Sequence, residues 1–110
     1  MNSTIENLLN DQIKHEASAS MQYLAMASWC QKEGYENAAK FMYQHSDEER
    51  MHMLRVLKFI NERGGRAIVP QIEKPEQEFK SITNVFKEFL SHEIQVTEKV
   101  NEVVGICMEE

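Results

Sequence analysis

Glycine and proline are scarce in this chain, four and two in 110 residues. A fold of many short strands and tight turns needs both, so that class is excluded. Glu, Lys, Met, Ala, Gln and Leu dominate instead, the composition of long helices. Cysteine is also rare. Cys30 and Cys107 stand alone, without paired spacing, which argues against a disulfide framework and reads as free, buried thiols in a reducing compartment. No apolar run approaches the ~20 residues of a membrane span. Basic residues are outnumbered by acidic ones, 12 to 18, for a net charge of −6. Phosphate binding needs a basic face, so a nucleic-acid partner is not expected. The first residues, "MNSTIENLLN", have neither the basic region nor the apolar stretch of a signal peptide, and a cytoplasmic location is the expectation. The length fits one domain over residues 1–110, with a single core.

Ser3 followed by Glu6 has the form of a capping box, and apolar residues recur at helical spacing from Ile5 to Cys30. Gly34 in "KEGYE" breaks the run. Helices are expected over about 4–33 and 36–63, antiparallel because the link is short, with the second stopped by Gly64 and Gly65. The segment "RAIVPQIEKPEQEFK" holds both prolines and no helical period, and Ser81 then caps a third helix over about 82–108. The crossover, about 64–81, reaches ~55 Å if extended, whereas a helix the length of the second spans only ~40 Å. It can run the whole bundle, leaving helices two and three parallel. The fold expected is all-α, with three long helices.

The stretch "SDEERMHML" places Glu49 and His52 three residues apart. Glu-x-x-His is half of a metal site in some helical proteins, but the spacing alone is common. The faces of the helices decide. Alternating steps of three and four along helix one give Leu9, Ile13, Glu16, Ser20, Tyr23, Ala27 and Cys30. Helix two gives Ala38, Met42, His45, Glu49, His52, Val56 and Phe59, and helix three Phe86, Phe89, Glu93, Val96, Val100, Val103 and Cys107. Each seam is apolar or small, and each is broken by a glutamate.

The levels agree as well. Counted from Gly34, Glu16 and His52 are each eighteen residues away and Glu49 fifteen. Glu93 lies eleven residues past Ile82, and Glu49 thirteen past Glu36. At 1.5 Å per residue all four fall within about one helical turn, facing inward. Several ionised carboxylates buried together are costly by desolvation and repulsion, and a bound cation offsets both. Oxygen donors with an imidazole suit iron or manganese rather than structural zinc. The plainer possibility is that these glutamates flank the seam in solvent; three coincidences of register weigh against it.

With these residues in place, the sequence resembles a prokaryotic non-haem ferritin along essentially its whole length. The likeness rests on "LNDQIKHEASASMQYLAMASWC", "GYENAAKFMYQHSDEERMHM", the long linker and "VFKEFLSHEIQVTEKVNEV". It implies a ferritin-like bundle, iron storage and detoxification, and ferroxidase oxidation of Fe(II) by dioxygen or peroxide. Two irons per subunit are implied, in a 24-subunit homo-oligomeric cage that stores ferric mineral. By position, Glu16, Glu49 and His52 correspond to the ligands of one iron, and Glu93 joins Glu49, the bridging glutamate, at the second. Tyr23 corresponds to the tyrosine beside the centre, and Glu48 to a ligand of a third iron site in some prokaryotic ferritins, or else to a solvated helix residue. His45 reads as a core or supporting histidine, and His15 and His92 as outside the ligand set. Haem is not expected. Haem-binding relatives carry a methionine after the bridging glutamate and a second Glu-x-x-His, whereas this chain has Arg50 there and a single such motif.

One departure is large. The sequence stops at "GICMEE", where a ferritin turns into a fourth helix that adds ligands and covers the bundle's open side. Two other expectations therefore stand beside a ferroxidase subunit. One is a short ferritin-like protein whose di-iron site forms between two chains. The other is a metal-free helical module that only binds partners.

Overall fold

The computed structural model describes residues 1–109, with side chains described through Ile106, and Cys107 in the third seam lies outside those side chains. Three helices account for the regular structure of the described residues: α1 (Ser3–Lys32), α2 (Glu36–Glu62) and α3 (Ile82–Glu109). Both stops after α1 and α2 have the same local cause. Gly34 and Gly64 adopt φ of 88° and 82°, a left-handed conformation that a Cβ disfavours. The following amides then fold back, Tyr35 N to Cys30 O at 2.8 Å and Gly65 N to Ile60 O at 2.9 Å, closing Schellman caps. Gly65 is needed for another reason. A Cβ there would lie 2.9 Å from the Ile60 side chain and 3.0 Å from Glu6 Oε1.

The capping box expected at Ser3 is corrected by one residue. Asn2 is the N-cap of α1, its Oδ1 accepting from Thr4 N at 2.7 Å and Ile5 N at 3.4 Å. Glu6, the other half of that box, instead accepts from Arg66 N at 2.5 Å. A tertiary partner outcompetes the local one. Ser81 does cap α3, its hydroxyl accepting from Asn84 N at 3.1 Å.

α1 packs against both other helices, while α2 and α3 are not backbone neighbours among the described residues. Val85 and Phe89, near the start of α3, join Tyr23, Met26, Ala27 and Cys30 of α1 and Met42 of α2 in one core cluster. Further along α3, Lys99 Nζ reaches Asp11 Oδ2 at 2.8 Å, near the start of α1. α3 is therefore antiparallel to α1 and parallel to α2. Residues such as Tyr23, Met26, Met42 and Val85 are wholly buried, each stabilising by roughly 1.5–3 kcal/mol. Burial pushes the Cys30 thiol up, which keeps it an inert core residue.

The crossover runs lengthwise over α1. At one end Asn10 clamps it, donating Nδ2 to Arg66 O at 3.0 Å and accepting from Ile68 N at 2.8 Å. At the other, Phe79 meets Trp29 edge-on, ring centroids 5.9 Å apart. Substitution of Asn10→Ala removes both bonds of the clamp. It is expected to lower stability by about 1–2 kcal/mol and to speed amide exchange at Ile68 without unwinding α1 or α2. Exchange measured residue by residue checks this, and unchanged protection at Ile68 would show that the clamp is idle.

Candidate metal centre

The level of the site is set by two serines. Ser20 Oγ donates to Ser46 O at 2.8 Å, and Ser46 Oγ donates to Ser20 O at 2.7 Å. Each small side chain bonds the opposite backbone, so α1 and α2 lie close here and cannot slide. Ser20 stands four residues after Glu16, and Ser46 three before Glu49. In antiparallel helices both steps lead one turn the same way, and the two carboxylates meet at one height.

Glu16 and Glu49 are each only 4% exposed. Glu16 Oε1 accepts from Gln12 Nε2 at 2.9 Å. Glu16 Oε2 and Glu49 Oε2 are buried with no hydrogen-bond partner. Both are turned toward His52 Nδ1, at 3.4 Å and 3.8 Å. One donor atom from each of Glu16, Glu49 and His52 falls within 4.8 Å of the others, compact enough for one cation. Buried polar atoms without partners are rare, and two aimed at one imidazole nitrogen are suited to share a cation. His52 itself is not interior. Its side chain is 48% exposed.

Glu93 lies outside that three-atom set. Its Oε1 accepts from the Tyr23 hydroxyl at 2.8 Å, and its side chain is 31% exposed. Burial and this bond to a carboxylate both raise the Tyr23 pKa, so Tyr23 stays a neutral donor. His45 packs its ring against Phe41 and Phe89, with centroids at 4.4 and 4.9 Å. Its Nδ1 lies between Glu48 Oε2 at 3.7 Å and Glu93 Oε1 at 4.0 Å. Glu48 is about half exposed. His15 is also exposed and faces Asp11 at 3.5 Å. His92 stacks edge-on against Tyr23, 6.3 Å between centroids, and burial lowers its pKa. Neither His15 nor His92 enters the three-atom set.

Two residues of the centre escape a reading of the seams. Gln12 is one turn before Glu16 and Ser46 one turn before Glu49, on the same faces. The spacing is the available signal, but both are uncharged and offer no metal-ligating group of their own.

The profile of the ferritin-like domain (Ferritin) matches residues 6–110. Over its whole length the chain is 39% identical to the "Probable bacterial non-heme ferritin-like protein" of Haemophilus influenzae, of which it spans 67%. Over 91 residues, 83% of the chain, it is 43% identical to the bacterial non-heme ferritin of Staphylococcus aureus, covering 55% of that protein. Among solved structures, an open-pore ferritin from the archaeon Archaeoglobus fulgidus superposes with a TM-score of 0.94 at 31% identity, over 99% of this chain and 67% of its own. Chlorobium tepidum ferritin superposes equally well, with a TM-score of 0.94 at 29% identity, over 99% and 67%. The chain belongs to the ferritin family. It spans about two thirds of the length of most of these relatives, and just over half of the Staphylococcus aureus protein.

Burial raises the Glu49 pKa to about 8, helped first by the adjoining Glu16 and then by the charges of Glu93 and Glu48. An unfolded chain releases that proton near 4.5. Between those values the folded protein binds more protons than the unfolded one, so rising pH destabilises it. The metal-free chain is expected to lose stability steadily from about pH 5 to 8, and Glu49→Gln to flatten that slope. Urea unfolding at several pH values, with chelator present, measures it directly. A wild-type slope no steeper than that of the variant would mean that Glu49 ionises freely.

Proposed function

We infer that the chain is a ferroxidase subunit of an iron-storage ferritin, working in the cytoplasm. The observation that carries this reading is the pair of orphaned carboxylate oxygens, Glu16 Oε2 and Glu49 Oε2, facing His52 Nδ1. Iron is the substrate. Glu16, Glu49 and His52 hold one ferrous ion, and Glu49 shares its carboxylate with a second held by Glu93. Hard oxygen donors favour Fe(III) over Fe(II), which lowers the potential of the bound pair and makes it a better reductant. Two ferrous ions supply the two electrons that convert dioxygen to hydrogen peroxide with uptake of two protons. With peroxide as oxidant, the same two electrons and two protons yield two waters.

The protein's own residues do the rest. Binding the first ion displaces the proton of Glu49, so affinity rises with pH until that group is ionised. Tyr23 keeps Glu93 near the pair by a hydrogen bond from a hydroxyl that does not ionise. Glu48, exposed and beside His45, is placed to take a third iron at the edge of the centre. Fe(III) then leaves for mineral growth inside a 24-subunit homo-oligomeric cage, the assembly of a complete ferritin.

A second reading, a di-iron site completed by another copy of the chain, has one observation in its favour. His52, a member of the three-atom set, is half exposed. A metal-free interaction module has none, because it gives the clustered Glu16, Glu49 and His52 no role.

Anaerobic Fe(II) titration followed by air, with particle mass measured on the same sample, separates the readings. About two irons per chain, fast oxidation and a very large particle are expected. Glu49→Gln, which removes the shared ligand, is expected to slow the first turnover at least tenfold, and His52→Ala to weaken the first iron by a similar factor. Roughly one iron per chain in a dimer would favour the shared site. No iron above background would end both metal readings.

A further inference from the structure

We propose that Gln12 is a positioning residue of the metal centre: it holds Glu16 to one-oxygen ligation, leaving Oε2 alone for the cation. This rests on the reading of Glu16, Glu49 and His52 as a metal site, and extends it to a residue that touches no metal.

Three observations carry the inference. Gln12 is 4% exposed, as buried as Glu16 itself. Its Nε2 donates to Glu16 Oε1 at 2.9 Å, while Glu16 Oε2 has no partner and faces His52 Nδ1 at 3.4 Å. And Gln12 Oε1 is buried with no hydrogen-bond partner of its own. A buried glutamine with half its amide unsatisfied is a poor choice for stability alone, since leucine or methionine fills the same space without an orphaned carbonyl. The position makes sense if the donated bond matters more than the carbonyl it strands.

The chemistry favours an amide over any charged partner. A lysine or arginine at this place would fix Glu16 but cancel its charge and repel the incoming cation. An apolar residue would preserve the charge and leave the carboxylate free to rotate, so that both oxygens could chelate. The amide fixes the rotamer and occupies one oxygen, and it leaves the negative charge for the metal. The protein then offers three donor atoms to the ion, Glu16 Oε2, Glu49 Oε2 and His52 Nδ1, and the remaining coordination positions stay open to water or oxidant. Partners of metal ligands commonly account for 10–100-fold in affinity.

The test uses Co(II) as probe, with the full chain and Gln12→Met, which keeps length and removes both amide atoms. Wild-type chain is expected to bind Co(II) in a manner abolished by Glu49→Gln. Q12M is expected to bind about tenfold more weakly, with weaker visible absorption per bound ion as a two-oxygen Glu16 raises the coordination number. Its metal-free melting temperature should be unchanged or higher, because a stranded carbonyl has gone. A second variant, Gln12→Leu, covers the case in which Q12M does not fold. It removes the donor, adds no charge beside the cation, and is expected to bind Co(II) about as weakly as Q12M. Equal affinity and an equal spectrum in wild type and the folded variant would overturn the inference and leave the metal site standing. Lowered melting temperature with unchanged Co(II) binding would do the same, by making Gln12 a stability residue. No Co(II) binding by the wild type at all would overturn both.

Discussion

The reciprocal bonds between Ser20 and Ser46 are the constraint from which the centre follows. Each hydroxyl is satisfied by the carbonyl of the opposite helix, so neither serine can be moved without stranding two buried polar groups. A slip of one residue between α1 and α2 would break both bonds at once. It would also carry Glu49 and His52 1.5 Å past Glu16 and rotate them by ~100°. Register and ligand geometry are thus one property here. Larger residues at these two positions would separate the backbones and spread the carboxylates as well.

Against that fixed frame, the site is held in tension. Two carboxylates with one free oxygen each are buried side by side, and the Glu49 pKa rises to about 8 as a result. An ordinary core would have replaced them with leucine. The apolar cluster formed by Tyr23, Met26, Met42 and Phe89 supplies the stability that tolerates the arrangement. Tyr23 serves both parts, with its ring in the core and its hydroxyl on Glu93. The candidate metal centre and the hydrophobic core therefore share a boundary one residue thick.

Much of this was legible from residues alone, where the cause is local. The stops at Gly34 and Gly64 reflect the left-handed backbone that glycine accepts, and Ser81 caps α3 through its own hydroxyl. The inward faces of α1 could be traced because Ile13, Glu16, Ser20, Tyr23, Ala27 and Cys30 are all buried. What sequence periodicity could not give was rotation relative to a neighbour. Phe59 and Val100 satisfy the same spacing and yet are exposed. The cap at Asn2 was displaced for a related reason: Glu6 had a partner in the crossover, sixty residues away. Gln12 and Ser46 were invisible because an uncharged polar residue in a helix reveals its purpose only when the opposite wall is known.

The long strap between α2 and α3 divides the centre by sequence distance. Glu16, Glu49, His52, Gln12 and both serines belong to one helical hairpin, complete by Glu62. Glu93 arrives from the far side of the crossover. Contacts close in sequence form early, and those that span long loops form late. During synthesis the hairpin leaves the ribosome before α3 does, so its three donor atoms can reach their common level on the nascent chain before the fourth emerges. The order of assembly is written into the topology.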